Sequence, residues 1–519
     1  MTKTRLYLVL GVLLACRHGG TNPGPQSVDS GAVELSFTQA QAGAFRANPQ
    51  INPVLPLRLT ADRAETLEVR LGDETRFARR LDDGTWIVEF KTDALIDGVY
   101  TVEAVARSEA GTGRAQVRLA IDRNGFQYTD WAQVGTADSP QLHRHESHLY
   151  MTWTDRRDQP RGGYLQTIDG SGQGISEPLQ ITPLEHEVAR MEVALGDGKI
   201  GMIYQQLEGD NRRHWVRILD LQGHVVLESR LVDFDGDTGR FQHGIAYDGE
   251  AWVGAWRVMD GDGSERIRWV RFSDQGILAG PIDVTSAGAN DPHGSFLPYI
   301  QMRIAARQQH SVVSFNRGYW EQNLAMTINR NQVLVIDPSG EVVEEGILPH
   351  DLLMPFEFES HVHSVGEEII TLSTASSLAD EALHEPHRIF ASRVPEAFPA
   401  PTDDWDYTLV LDAPRTRGEM ILTPHAKEWA VMMWTDERGR DQPGSPEDKI
   451  QVLTAPLSSP ERGFRLGTHR AIPHAQVFSG MAKLSAQSLG SAVLVVWIDE
   501  RNASSQQSRP EVFMEMVWF

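Results

Sequence analysis

From residue 126 to the C-terminus the hydrophobic positions fall into short apolar and β-branched runs that end in an aromatic residue or its stand-in. The runs recur seven times. Their end points are Trp153, Tyr204, Trp256, Phe315, Ser373, Trp434 and Trp497, with successive spacings of 51, 52, 59, 58, 61 and 63 residues. Ser373 is placed by spacing and by the preceding Ile369-Ile370-Thr371-Leu372. A second mark keeps step with the first: Ile168 with Gly172, Ile218 with Gly223, Phe272 with Gly276 and Ile336 with Gly340, the glycines 19, 19, 20 and 25 residues past their anchors. Both marks describe one repeating unit of short strands and tight turns.

A unit of this length suits a four-stranded sheet, which cannot bury both faces alone and must stack against copies of itself in a ring. The fold class expected is therefore all-β, with a seven-bladed β-propeller over 126–519, six or eight blades remaining open. In the first repeat the strands read as Gln141–Glu146, His148–Thr154, Tyr164–Ile168 and Leu179–Thr182. Strand-like runs also follow the later anchors at Arg388–Val394, Lys449–Thr454 and Glu511–Phe519. The last repeat is one strand short, and Trp131–Gly135 resembles the fourth strand of the others. Pairing 131–135 with 511–519 would close the ring and hide two sheet edges.

Residues 33–124 show a different rhythm. Leu67–Leu71, Trp86–Phe90, Tyr100–Ala106 and Ala115–Ala120 alternate apolar with polar positions, as strands buried on one face do, over a length that suits one β-sandwich. The turns Asp82-Asp83-Gly84-Thr85-Trp86, Asp97-Gly98-Val99-Tyr100 and Ala110-Gly111 resemble those of bacterial immunoglobulin-like domains, which implies a spacer role. The domain lacks a cysteine pair, so the strand pattern and these turns carry the resemblance.

The N-terminus points to a location. Lys3 and Arg5 precede an apolar run from Leu6 to Ala15, too short to span a bilayer core as a helix, so 1–15 reads as a signal segment. Leu13-Leu14-Ala15-Cys16 resembles the lipobox of bacterial lipoproteins, which implies cleavage before Cys16 and acylation of its thiol. Cys16 is the only cysteine, as suits an exported chain without disulfides. Residues 16–32, rich in Gly, Pro and Ser, form the expected flexible tether. Arg17 stands where an inner-membrane-retained lipoprotein of some bacteria has aspartate. The resemblance therefore favours the outer membrane, on its periplasmic or surface face.

Net charge narrows the partners: 71 acidic against 48 basic residues give −23, which disfavours nucleic acid. Three anchors extend to Trp153-Thr154-Asp155-Arg156-Arg157, Trp434-Thr435-Asp436-Glu437-Arg438 and Trp497-Ile498-Asp499-Glu500-Arg501. The motif resembles repeats of extracytoplasmic bacterial propellers and reads first as structural, Trp packing between blades while Asp and Arg fix the turn. It is not the aspartate box of sialidases.

Loops after the anchors carry Arg157, Arg257, Asp260, Asp262, Arg317, Tyr319, Trp320 and Arg438. Tyr319 and Trp320 as an aromatic platform, beside guanidinium donors, would suit sugar rings, peptide side chains or carboxylates; a Trp320 folded into the core is the competing expectation. Asp233, Asp235 and Asp237 have the spacing of a calcium loop but lack its glycine and its last glutamate, so an acidic turn competes with a calcium site. His143 with His145, and His361 with His363, share strand faces and suggest channel lining, with a metal site as the other reading.

Among familiar catalytic signatures, no nucleophile elbow, zincin helix, phosphate loop or dinucleotide fingerprint occurs. The function expected is a lipid-anchored envelope protein that binds or scaffolds, its propeller rim taking a glycan, a peptide or a protein. The alternative is a carbohydrate-active enzyme, hydrolase or lyase, using rim or channel-mouth carboxylates. Two acidic side chains converging in a deep pocket would mark the enzyme.

Overall fold

The computed structural model describes residues 33–38, 44–123, 126–127, 138–155, 161–209, 211–231, 243–259, 265–287, 302–308, 310–321, 326–348, 356–376, 388–395, 407–412, 416–425, 429–436, 450–477, 484–490, 492–499 and 511–519. The chain is all-β, and seven consecutive four-stranded antiparallel units make a propeller. Blade 1 runs through Asp138–His145, His148–Asp155, Gly162–Ile168 and Leu179–Gln180. Blades 2 to 6 begin at Glu187, His243, Arg303, Phe356 and Thr416, each again with four strands. The first strands of successive blades touch one another around a complete circle, that of blade 7 (Leu484–Ser488) meeting that of blade 1. The ring is closed.

All seven anchors lie on the second strand of their blades, where both faces are covered by neighbouring blades. Trp153, Tyr204, Trp256, Trp434 and Trp497 are essentially inaccessible to solvent. Four of the seven have an aromatic partner on the third strand, while Trp256, Phe315 and Trp434 face Arg268, Gln332 and Leu453. Trp153 faces Tyr164, Tyr204 faces Trp215, Trp497 faces Phe513, and the weak anchor Ser373 faces Phe390. The ring that Ser373 lacks is thus supplied across the ladder, since opposed side chains on one sheet face form a single packing unit.

The turn glycines sit between third and fourth strands with left-handed backbone, φ 89° at Gly223 and 94° at Gly340. In three of the four an aspartate three residues earlier fixes the turn, Ser273 standing there before Gly276: Asp220 Oδ1 accepts from the amides of Gln222 and His224, and Asp337 Oδ1 from those of Ser339 and Glu341, at 2.8–2.9 Å. A Cβ at Gly223 would stand 2.0 Å from Leu179 of blade 1, and one at Gly340 2.0 Å from Ile282 of blade 3. Asp-x-x-Gly thus recurs in blades 1, 2 and 4, where it keeps the hairpin slim enough to lean on the preceding blade; Gly276 of blade 3 has open space beside it.

The seam differs from expectation in its residues. Blade 7 consists of Leu484–Ser488, Ala492–Asp499 and Glu511–Trp518, and its fourth strand is Phe126–Gln127, which pairs with Met514 and Phe513. Trp131–Gly135 lies outside the described residues.

That domain is a sandwich of two sheets. One holds Leu35–Phe37, Val54–Ala61, Trp86–Lys91 and Arg79–Arg80; the other holds Ala44–Ala47, Gly111–Ile121, Gly98–Ser108, Thr66–Leu71 and Glu74–Phe77. Alternating positions of both, among them Leu57, Val69, Trp86, Val102 and Leu119, fill one core. Ala492, Met516 and Trp518 of blade 7 belong to that same core, with Trp518 edge-on to Phe45 at 5.4 Å.

Polar contacts reinforce this junction. The Asn52 amide donates to the Met516 carbonyl at 2.8 Å and accepts from the Trp518 amide at 2.9 Å, so it serves the last strand as a substitute ladder partner. The Trp518 indole donates to the Arg46 carbonyl at 2.8 Å. The sandwich is thus not a body hung on a linker; it shares a core with the propeller's seam.

Candidate functional site

The first strand of each blade offers an unpaired edge to the central channel, and exposed edges invite foreign pairing. Here side chains from adjoining blades occupy many of these edge groups. Ser485 Oγ accepts from the Leu142 amide at 2.9 Å, Gln141 Oε1 accepts from the Val193 amide at 3.1 Å, His363 Nε2 donates to the Met420 carbonyl at 3.2 Å, and Ser364 Oγ donates to the Ala306 carbonyl at 3.1 Å. These bonds link blades 7 to 1, 1 to 2, 5 to 6 and 5 to 4. They close the edges and leave a lined space between them.

That space is a cavity of about 270 Å³, formed by first-strand residues of six of the seven blades. Its polar lining is Gln141, His143, Glu192, Arg303, His363 and Ser485, and aliphatic side chains such as Val193, Ile304 and Leu484 fill the gaps between them. Glu192 is held in place by the Gln141 amide from the neighbouring blade.

Both histidines are neutral at physiological pH. Each presents some surface to the cavity while protein surrounds it, and burial pulls His143 down to about 4. Burial, followed by the nearby His361 and Arg303, pulls His363 down to about 3, against the opposing effect of its bond to Met420. His361, stacked parallel to His363 at 6.2 Å, is also pushed well below the ordinary range by burial and then by Arg303. A neutral His363 whose Nε2 donates to a carbonyl must keep Nδ1 bare, as an acceptor.

The expected histidines therefore fall partly where they were placed: His143 and His363 line the channel cavity. Among the described residues no group of three His, Cys, Asp or Glu side chains could hold a metal ion. Glu192, Arg303 and Ser485 were not singled out. They belong to three different blades, and no local motif marks them.

Tyr319 and Trp320 differ from expectation in their backbone setting. The second strand of blade 4 runs from His310 to Glu321, so Tyr319 and Trp320 lie within it, opposite Ile328 and Thr327, and not in a polar loop. Arg317 is likewise on this strand, opposite Arg330. Arg257 lies on the second strand of blade 3 and forms a buried ion pair with Glu265. Cys16, Arg157, Arg438, Asp233, Asp235, Asp237, Asp260 and Asp262 are outside the described residues.

In blade 1 the Trp-x-Asp motif shows its structural side. The buried Trp153 indole donates to Asp155 Oδ2 at 3.0 Å, both residues lying on one strand face. Asp155→Ala removes that acceptor and should cost about 1–3 kcal/mol. Urea unfolding of the variant measures this, and an unchanged midpoint would contradict the assignment.

No family model and no curated protein matches the chain. Among solved structures it is similar to an α-L-arabinofuranosidase from Fusarium graminearum (8% identity, 64% of this chain and 95% of that one, TM-score 0.39). It is also similar to a protein of unknown function from Bacteroides thetaiotaomicron (10% identity, 93% and 98%, TM-score 0.33). Its match to an endo-β-1,4-mannanase from Thermotoga petrophila has 15% identity and TM-score 0.16, and spans 20% of this chain and only 21% of that one. Scores this low carry no argument about chemistry. The class is set by the strand pairing itself: a closed seven-bladed propeller preceded by a two-sheet domain.

Proposed function

We propose that this chain is a lipid-anchored envelope protein that binds a polar ligand, or the end of a larger one, in the central cavity of its propeller. The observation that supports the reading is a space lined by both polar and aliphatic side chains, held rigid by bonds between blades. Ligand sites are commonly concave and mostly preformed, with a few fixed polar groups.

The anchor rests on Cys16, and the location proposed is the outer membrane. The two-sheet domain is taken as immunoglobulin-like, with the docking to blade 7 making it a rigid stand for the propeller. Cys16→Ser should release the protein from the detergent-extracted membrane fraction and abolish labelling by a fatty-acid probe. Label retained on the variant would overturn the anchor. A glycan array probed with the intact chain in detergent tests the binding half.

The second reading is a carbohydrate-active enzyme. It has to stand on this chain's own carboxylates. Among the described residues Glu192 is the one acidic side chain lining the cavity, whereas glycoside hydrolysis in its usual form uses a pair. Release of reducing ends from a glycan, abolished by Glu192→Gln, would promote this reading over simple binding.

A further inference from the structure

The geometry points to a neutral monosaccharide unit, one sugar ring without a charged substituent, as the occupant of the central cavity. The assignment rests on the binding reading above and narrows it. A volume of about 270 Å³ equals that of roughly nine liquid waters, enough for one sugar ring. The cavity would hold a terminal unit or a free sugar.

Charge is balanced across the lining. Among the described residues Glu192 and Arg303 are its two charged side chains, of opposite sign, and the histidines add none. An anion as occupant would face the Glu192 carboxylate, and a cation would face Arg303. The hydrogen-bonding groups alternate in kind. Ser485 Oγ accepts from the Leu142 amide and keeps its own proton to donate, while His363 Nδ1 and the Glu192 carboxylate accept. An oxyanion calls for donors alone. Hydroxyl groups both donate and accept, and so match a mixed set.

Val193, Ile304, Val362 and Leu484 supply apolar wall between the polar groups. An entirely polar ligand would leave those walls unused, and an apolar one would offer nothing to the polar lining groups. A sugar ring carries C–H faces framed by hydroxyls, and so meets both kinds of surface together.

The test uses the intact chain in detergent micelles. Saturation-transfer NMR and calorimetry are run with D-glucose, D-galactose, D-mannose, N-acetylglucosamine, L-arabinose and D-xylose, and with glucuronate and glutamate as charged probes. At least one neutral sugar is expected to bind. Val193→Phe, which fills the space, should weaken it more than about tenfold. Ser485→Ala, milder and expected to fold normally, should weaken it about three- to tenfold; it decides the matter should the larger residue prevent folding.

Binding confined to glucuronate or glutamate would overturn the neutral-sugar assignment and leave the cavity as a binding site. Sugar binding insensitive to both variants would overturn the location and leave a glycan-binding protein. Failure of every probe to bind would overturn the assignment, and the binding reading itself falls only if the glycan array is also blank.

Discussion

Trp518→Ala is expected to destabilise both the sandwich and the propeller, by about 3–5 kcal/mol. The indole is fully buried, packs edge-on against Phe45 at 5.4 Å, and donates to the Arg46 carbonyl at 2.8 Å. Truncation leaves a hole in a core that draws on two domains, and an orphaned carbonyl beside it. Its backbone amide, bonded to Asn52, survives the change, so the strand should still pair. Chemical unfolding followed by two probes, one reporting on each domain, should show both transitions moving to lower denaturant. A shift confined to one domain would mean that the shared core does not couple them.

The second large effect concerns Glu515, buried at the same junction. Burial pushes its carboxyl up to about 7, although bonds from the Asn48 amide and the Met516 backbone, together with the Arg46 charge, work the other way and Asp122 adds to the rise. The groups facing it are thus Asn48, Arg46 and Asp122, with Arg46 itself paired to Asp122 at 2.8 Å. A carboxyl with a raised folded pKa binds its proton more tightly when folded. Its contribution to stability is therefore complete below the ordinary carboxylate range and is lost as pH climbs to about 7.

The wild-type chain should lose ~3 kcal/mol of stability between about pH 4.5 and 7 from this group. Glu515→Gln, neutral at every pH, should flatten that slope and be the more stable protein at pH 8. Unfolding measured at several pH values decides, and parallel curves for the two proteins would exclude Glu515 as the source.

Much of the propeller was readable because its signals are local and repeated. An anchor such as Trp434 sits mid-strand in a run covered on both faces, and that burial needs an unbroken apolar stretch. The glycines at 172, 223, 276 and 340 all have positive φ, a backbone requirement visible in a single residue type. The Asp of each Asp-x-x-Gly turn was equally visible, but it acts on amides two and four residues ahead and so escapes a search for apolar spacing.

What could not be read is what the ring creates between distant segments. The cavity takes one to four residues from each of six blades, and nothing in the neighbourhood of Ser485 announces Glu192 or Arg303. Asn48 and Glu515 meet across 467 positions. Tyr319 and Trp320 were read as loop residues for another reason. Aromatic residues with a polar neighbourhood suit an extended strand as well as a turn, and here the strand continued to Glu321.

The junction at Trp518 also has a temporal side. Ribosomes deliver this polypeptide with the sandwich first and blade 7 last. Phe45 and its neighbours therefore emerge long before the indole that completes their packing. Until those final residues arrive, the early domain carries an unfilled notch and the ring has no clasp. Completion of either body therefore waits on the arrival of Trp518.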